Sequence, residues 1–79
     1  MLLRSALAAA ILMLASPALA HMCPAIMAEI DAALPTATLT DEQRAEVERL
    51  RAEGEERHAA GEHDASVEAL EEAKAIMGL

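Results

Sequence analysis

The sequence predicts an all-α protein, and three observations predict it. Beyond residue 20 most residues are Ala, Glu, Leu, Arg, Lys or Met, and these are strong helix formers. No alternating run of β-branched residues occurs, so no strand is expected. Apolar residues recur three and four apart, with helix-start and helix-stop residues between the runs, which is the periodicity of an amphipathic helix. We expect three short helices in the mature chain, the last two forming an antiparallel hairpin, behind an N-terminal signal-peptide helix.

The first segment, residues 1–20, reads MLLRSALAAAILMLASPALA. Arg4 supplies a positive start, an uncharged apolar run follows, and Ala18 and Ala20 flank Leu19 at the end. That order of charged, apolar and small residues is the pattern of a secretory signal peptide. The apolar run is short of the ~20 residues a membrane-spanning helix needs. Cleavage near Ala20 would leave His21 as the new N-terminus of a periplasmic or secreted protein.

The remaining 59 residues carry five basic and fourteen acidic side chains, a net charge of about −9. Phosphates would repel such a chain, so neither nucleic acid nor, after signal cleavage, a membrane surface is an expected partner. A domain of this size hides only about 60% of the surface its unfolded chain exposes. There is no Phe, Tyr or Trp to enlarge the core, and one Cys cannot form an internal disulfide. Support must come from helix propensity and from association.

The first helix, in residues 21–35, places Pro24 at its start, where a missing N–H is harmless. Cys23, Met27, Ile30 and Leu34 then form one apolar face, with Ile26 beside it, and Pro35 ends the helix. Residues 36–40 are a linker. The second helix opens on TDEQ, where Thr40 and Gln43 can form a capping box. Asp41 and Glu42 suit the positive end of the helix dipole. Its apolar positions are sparse (Ala45, Val47, Leu50 and Gly54), and Glu53 with Arg57 is an expected surface pair. Gly61 stops it. The third helix, from about Asp64, sets Val67, Leu70, Ala73 and Met77 on one stripe beside Ile76, and Gly78 ends it. The short connection AAGEH folds helices two and three into a hairpin over residues 41–79.

The stretch LRAEGEERHAAGEHDASVEALEEAKAIMG, Leu50 to Gly78, resembles a tetratricopeptide repeat. Leu50 takes the Trp place, Gly54 the first Gly place and Gly61 the turn Gly place. Ser66 takes the small-residue place, Leu70 the Phe place and Ala73 the second Ala place. Glu53, Arg57, His63 and Gly78 depart from the pattern, standing where Leu, two aromatics and Pro are usual. The resemblance covers one repeat and about half of the mature chain. It implies protein or peptide binding without catalysis. A lone repeat cannot bury its own face, so the first helix is expected to cap the hairpin. Met27, Ile30 and Leu34 would then meet Val47, Leu50, Val67 and Leu70. Self-association, or docking on another exported protein, would supply further units. Leu50, Leu70, Ile76 and Met77 are the expected contacts, and this function needs no cofactor.

The chemistry-bearing residues give an alternative. His21, Met22, Cys23 and Met27 lie together in HMCPAIM. An N-terminal amine with an imidazole can chelate Cu(II), and Cys and Met sulfurs suit Cu(I). That set predicts a periplasmic copper-binding protein. Cys23 and Met27 equally fit a helix core. His58 and His63 flank the Gly61 turn with Glu62 between them, a weaker candidate for a divalent ion. An enzyme is not expected, because so short a chain without aromatics can hardly enclose a pocket.

Overall fold

The computed structural model describes residues 22–79. The expected signal peptide and His21 lie outside the described residues. Three α-helices carry the fold, and no strand occurs among the described residues. We label them α1 (22–33), α2 (Asp41–Ala59) and α3 (His63–Met77). The sequence places Pro35 as a stop directly after helix one. Instead Leu34–Thr36 continues as one 3₁₀ turn before the chain extends. Proline is tolerated early in a helical turn, where no N–H is needed.

α2 begins as its sequence dictates. The Gln43 N–H donates to Thr40 Oγ1 at 3.1 Å, and the Thr40 N–H donates to Gln43 Oε1 at 2.9 Å. Asp41 and Glu42 occupy the first turn and Arg57 and His58 the last, each sign matched to the dipole end it meets. The end of α2 is a Schellman turn. Gly61 takes φ 78°, its N–H donates to the His58 carbonyl at 3.1 Å, and the Glu62 N–H donates to the Arg57 carbonyl at 2.9 Å. Glycine reaches that left-handed backbone without a Cβ penalty. α3 starts at His63, one residue earlier than the sequence suggests, and ends on Gly78 in the same left-handed region.

α2 and α3 pack closely because Gly54 sits at their crossing. A Cβ on Gly54 would lie 2.5 Å from Leu70 Cγ and Cδ2. Beside it the Ser66 hydroxyl donates to the Gly54 carbonyl at 2.6 Å, fully buried. Gly54 and Ser66 thus sit at the close crossing of the two helices, and Ala73 is buried about two turns further along α3.

α1 caps the hairpin. Cys23, Ile26, Met27 and Ile30 join Val47, Leu50, Ala69, Leu70 and Ala73 in one core, with Leu34, Val67, Ile76 and Met77 packed at its margin. Arg51 on α2 donates to both carboxylate oxygens of Asp31 on α1, at 3.0 and 2.9 Å. Lys74 on α3 pairs with Glu29 at 3.1 Å. Arg44 reaches back to the carbonyls of Leu34 and Ala37, at 3.3 and 3.4 Å. These contacts order α1 antiparallel to α2 and parallel to α3. The first residues of α1 consequently lie at the end where α2 turns into α3.

Candidate metal centre

Three elements converge at that turn end. Cys23 is on α1, His58 is the penultimate residue of α2, and His63 is the first residue of α3. The Schellman turn brings the two imidazoles together in a tilted arrangement, with ring centroids 5.2 Å apart and planes at 57°. Cys23 is fully buried and both histidines are half-buried. One donor atom from each of the three residues lies within 4.8 Å of the other two.

The two imidazoles are incompletely satisfied by the protein. Nδ1 of His58 and Nδ1 of His63 are buried and have no hydrogen-bond partner. The Cys23 thiol donates to the His63 carbonyl at 3.9 Å, which ties α1 to the start of α3. A buried polar atom without a partner costs about 1–3 kcal/mol, and this site carries two of them.

The donor set is one sulfur and two imidazole nitrogens. Bonds of about 2.0–2.3 Å to a transition-metal ion would set such donors about 3.3–3.8 Å apart. No carboxylate belongs to the cluster. Glu62, next in sequence to His63, is drawn away by Arg57, whose Nη1 donates to Glu62 Oε2 at 2.7 Å. This pairing replaces the expected one between Glu53 and Arg57. Arg49 takes Glu53 instead, at 3.3 Å, and also Glu46 at 2.6 Å. The Arg57 and Arg49 guanidiniums are each held more firmly protonated by these carboxylates.

The structure divides the sulfur set that the sequence groups together. Cys23 turns to the two histidines. Met27, one helical turn on, faces Arg51, whose Nη1 lies 3.2 Å from Met27 Sδ. Met22 is exposed, and His21 lies outside the described residues. Cys23 is thus the member common to the copper set and to the histidine pair, two candidates that the sequence keeps apart. The missed signal was topological. Capping the hairpin with α1, itself expected, carries residue 23 to the Gly61 turn.

The expected partner contacts have a different place. Leu50 and Leu70 are 2% and 0% exposed within the chain's own core, and Ile76 and Met77 are half-buried at its margin. Among the described residues only Met22 and Leu79 are large exposed hydrophobics. Two open grooves, about 530 and 410 Å³, run along α2 and between α2 and α3, lined mainly by charged residues such as Arg49, Glu53 and Arg57. Neither includes a residue of the Cys–His–His cluster.

The model of the PA14_33160 family matches residues 21–78. The chain belongs to that family. The match takes in all three helices and all three residues of the cluster. No curated protein and no solved structure matches the chain. Within the described residues of this family member, no helix is long and apolar enough to cross a membrane.

Proposed function

We propose that this protein is a small, exported, non-catalytic metal-binding protein whose site is Cys23, His58 and His63. One observation carries the reading: two buried imidazole nitrogens without partners stand beside a buried thiol, each donor on a different helix. Thiolate and imidazole are ligands for zinc and copper. All three residues stand on helices rather than on the connecting loops. Export is supported by the signal-like first 20 residues and by a family match that starts at residue 21. In the oxidising compartment such export implies, a bound metal would also protect the thiol.

The protein-interaction reading is the second one. It rests on the tetratricopeptide-like spacing of the hairpin, and the close crossing at Gly54 and Ser66 supports that likeness. Its contact residues Leu50 and Leu70 are covered by α1, so the metal site has the stronger physical support.

The test is native mass spectrometry of the chain from His21 onward, titrated with Zn(II) and, without oxygen, with Cu(I). The expected product carries one ion per chain. His63→Gln and Cys23→Ser should each lose it while keeping the helical circular dichroism of the parent. His21→Ala should retain it, which separates this site from chelation by the N-terminal amine. Equal binding by the parent and by a Cys23→Ser, His58→Gln, His63→Gln triple variant would overturn the proposal.

A further inference from the structure

We infer that the ion this site selects is Cu(I), held by three protein donors and no others. The inference rests on the metal-site reading above and adds the identity and coordination of the ion. Three independent features of the cluster point to it.

The first is the chemistry of the donors that the fold admits and withholds. Cys23 offers a soft sulfur, and His58 and His63 offer imidazole nitrogens. Soft thiolate favours Cu(I), whereas carboxylate and water favour harder ions. The nearest carboxylate in sequence, Glu62, is tied to Arg57. The nearest further sulfur on the same face of α1, Met27, is tied to Arg51. Two arginines thus hold back the fourth donor that a closed tetrahedral zinc site would need.

The second is charge. A thiolate with two neutral imidazoles carries one negative charge. A monovalent ion makes the centre neutral, and a divalent ion leaves it positive. Cys23 has no exposed surface and both Nδ1 atoms are shielded from water. Burying an uncompensated charge is costly, while a neutral centre avoids that cost. The nearest carboxylate in sequence able to balance a divalent ion, Glu62, is already paired with Arg57.

The third is number. Zinc sites with three protein ligands keep a water in the fourth position. Here the donors come from three packed helices, with the sulfur fully buried and the imidazoles half-buried, a setting that disfavours an added water. Cu(I) is satisfied by three ligands in a plane. On binding, Cu(I) replaces the thiol proton, which leaves to solvent. The weak thiol contact to the His63 carbonyl is given up, a Cu–S bond and two Cu–N bonds form, and no electron is transferred. The copper is supplied and retained as Cu(I).

The deciding experiment is anaerobic competition on the chain from His21 onward. Cu(I) is presented with a bicinchoninate chelator, and Zn(II) is added in about a hundredfold molar excess. The loaded protein is examined by X-ray absorption at the copper edge. We expect one Cu(I) per chain, retained against the zinc, with one sulfur and two nitrogen scatterers. Cys23→Ser should weaken Cu(I) binding by about a hundredfold or more, since the soft donor is lost. Displacement of copper by that excess of zinc, or a four-coordinate copper spectrum, would overturn the Cu(I) assignment while leaving a metal site in place. Binding of neither ion above the level of the triple variant would overturn the site itself.

Discussion

Two buried polar groups on α3 lie less than one helical turn apart and are treated in opposite ways. Ser66 in mid-hairpin is fully buried, and its hydroxyl meets the Gly54 carbonyl at 2.6 Å. His63 at the turn end has a buried Nδ1 with no partner, and so does His58 across from it. The first region is complete by itself. Its small residues let the helices touch, and its one hydroxyl is satisfied by the backbone it touches. The second region is incomplete by itself. A fold assembled from local helical preferences pairs most of its buried polar groups, and the two imidazoles at the turn end are where this one does not.

Breaking the complete region should have the largest effect. Leu70 is fully buried against Gly54 and α1. Leu70→Asp would bury a charge there, and a core this small supplies no more than about 3–5 kcal/mol of stability. The variant should lose its helical circular dichroism at 25 °C. A Leu70→Asp chain with the parent's spectrum would show that the mid-hairpin is not the core.

Gly54→Ala should come next. The new Cβ would stand 2.5 Å from Leu70 Cγ, a branch point that cannot swing aside without moving the helix. Overpacking of this kind costs about 1–3 kcal/mol, against which alanine's better helix propensity returns about 1 kcal/mol. A lowered midpoint in urea is expected. A raised one would mean that α2 and α3 cross less closely than described.

A paired substitution then sharpens the comparison directly. Ser66→Ala removes a satisfied group and should lower metal-free stability by about 0.5–1.5 kcal/mol. His63→Leu removes an unsatisfied one and should leave metal-free stability unchanged or raise it, because replacing a partnerless polar atom with an apolar one relieves desolvation. With ion present the order changes. A ligand at about one hundred times its Kd stabilises the parent by about 2.7 kcal/mol. Ser66→Ala should keep that increment and His63→Leu should lose it. Thermal melts with and without Cu(I) read both effects. Equal losses in the metal-free state would remove the contrast on which the site rests.

The fold was legible because its signals are local. Thr40 and Gln43 form the expected capping box, and Gly61 and Gly78 carry the expected left-handed stops. The three-and-four spacing of Cys23, Met27, Ile30 and Leu34 is the face that α1 buries or half-buries. The site was only half legible because its signal is not local. Cys23 and His63 stand forty positions apart, and nothing in their spacing announces a ligand pair. Arg51 shows the same limit. In the sequence it is one charge among many on α2, whereas in the structure it binds Asp31, Glu55 and Met27 Sδ. Surface pairs such as Glu53 with Arg57 were misassigned because several arginines and glutamates satisfy the same spacing, and tertiary neighbours choose among them.

Arg51 supplies the smallest effect, and it probes how α1 is tethered away from the site. Two hydrogen bonds from its guanidinium hold the Asp31 carboxyl below the usual carboxylate range, outweighing the small opposing effect of burial. A carboxyl depressed in the folded state adds stability that is present above its unfolded pKa of about 3.9 and is lost as pH falls through the folded value. Asp31 is 53% exposed, and solvent screening limits such a pair to about 0.2–1 kcal/mol. Asp31→Asn should therefore be slightly less stable than the parent at pH 7. The gap should narrow as the parent's own carboxyl protonates in acid below about pH 4. Asn keeps one acceptor oxygen, and Arg51 keeps Glu55 at 2.8 Å, so α1 should stay docked in the variant. Urea midpoints of both proteins at pH 7 and pH 3 decide it. A gap that is the same at both pH values would mean that the charge of Asp31 contributes nothing to holding α1, and that the apolar face alone sets Cys23 beside the histidines.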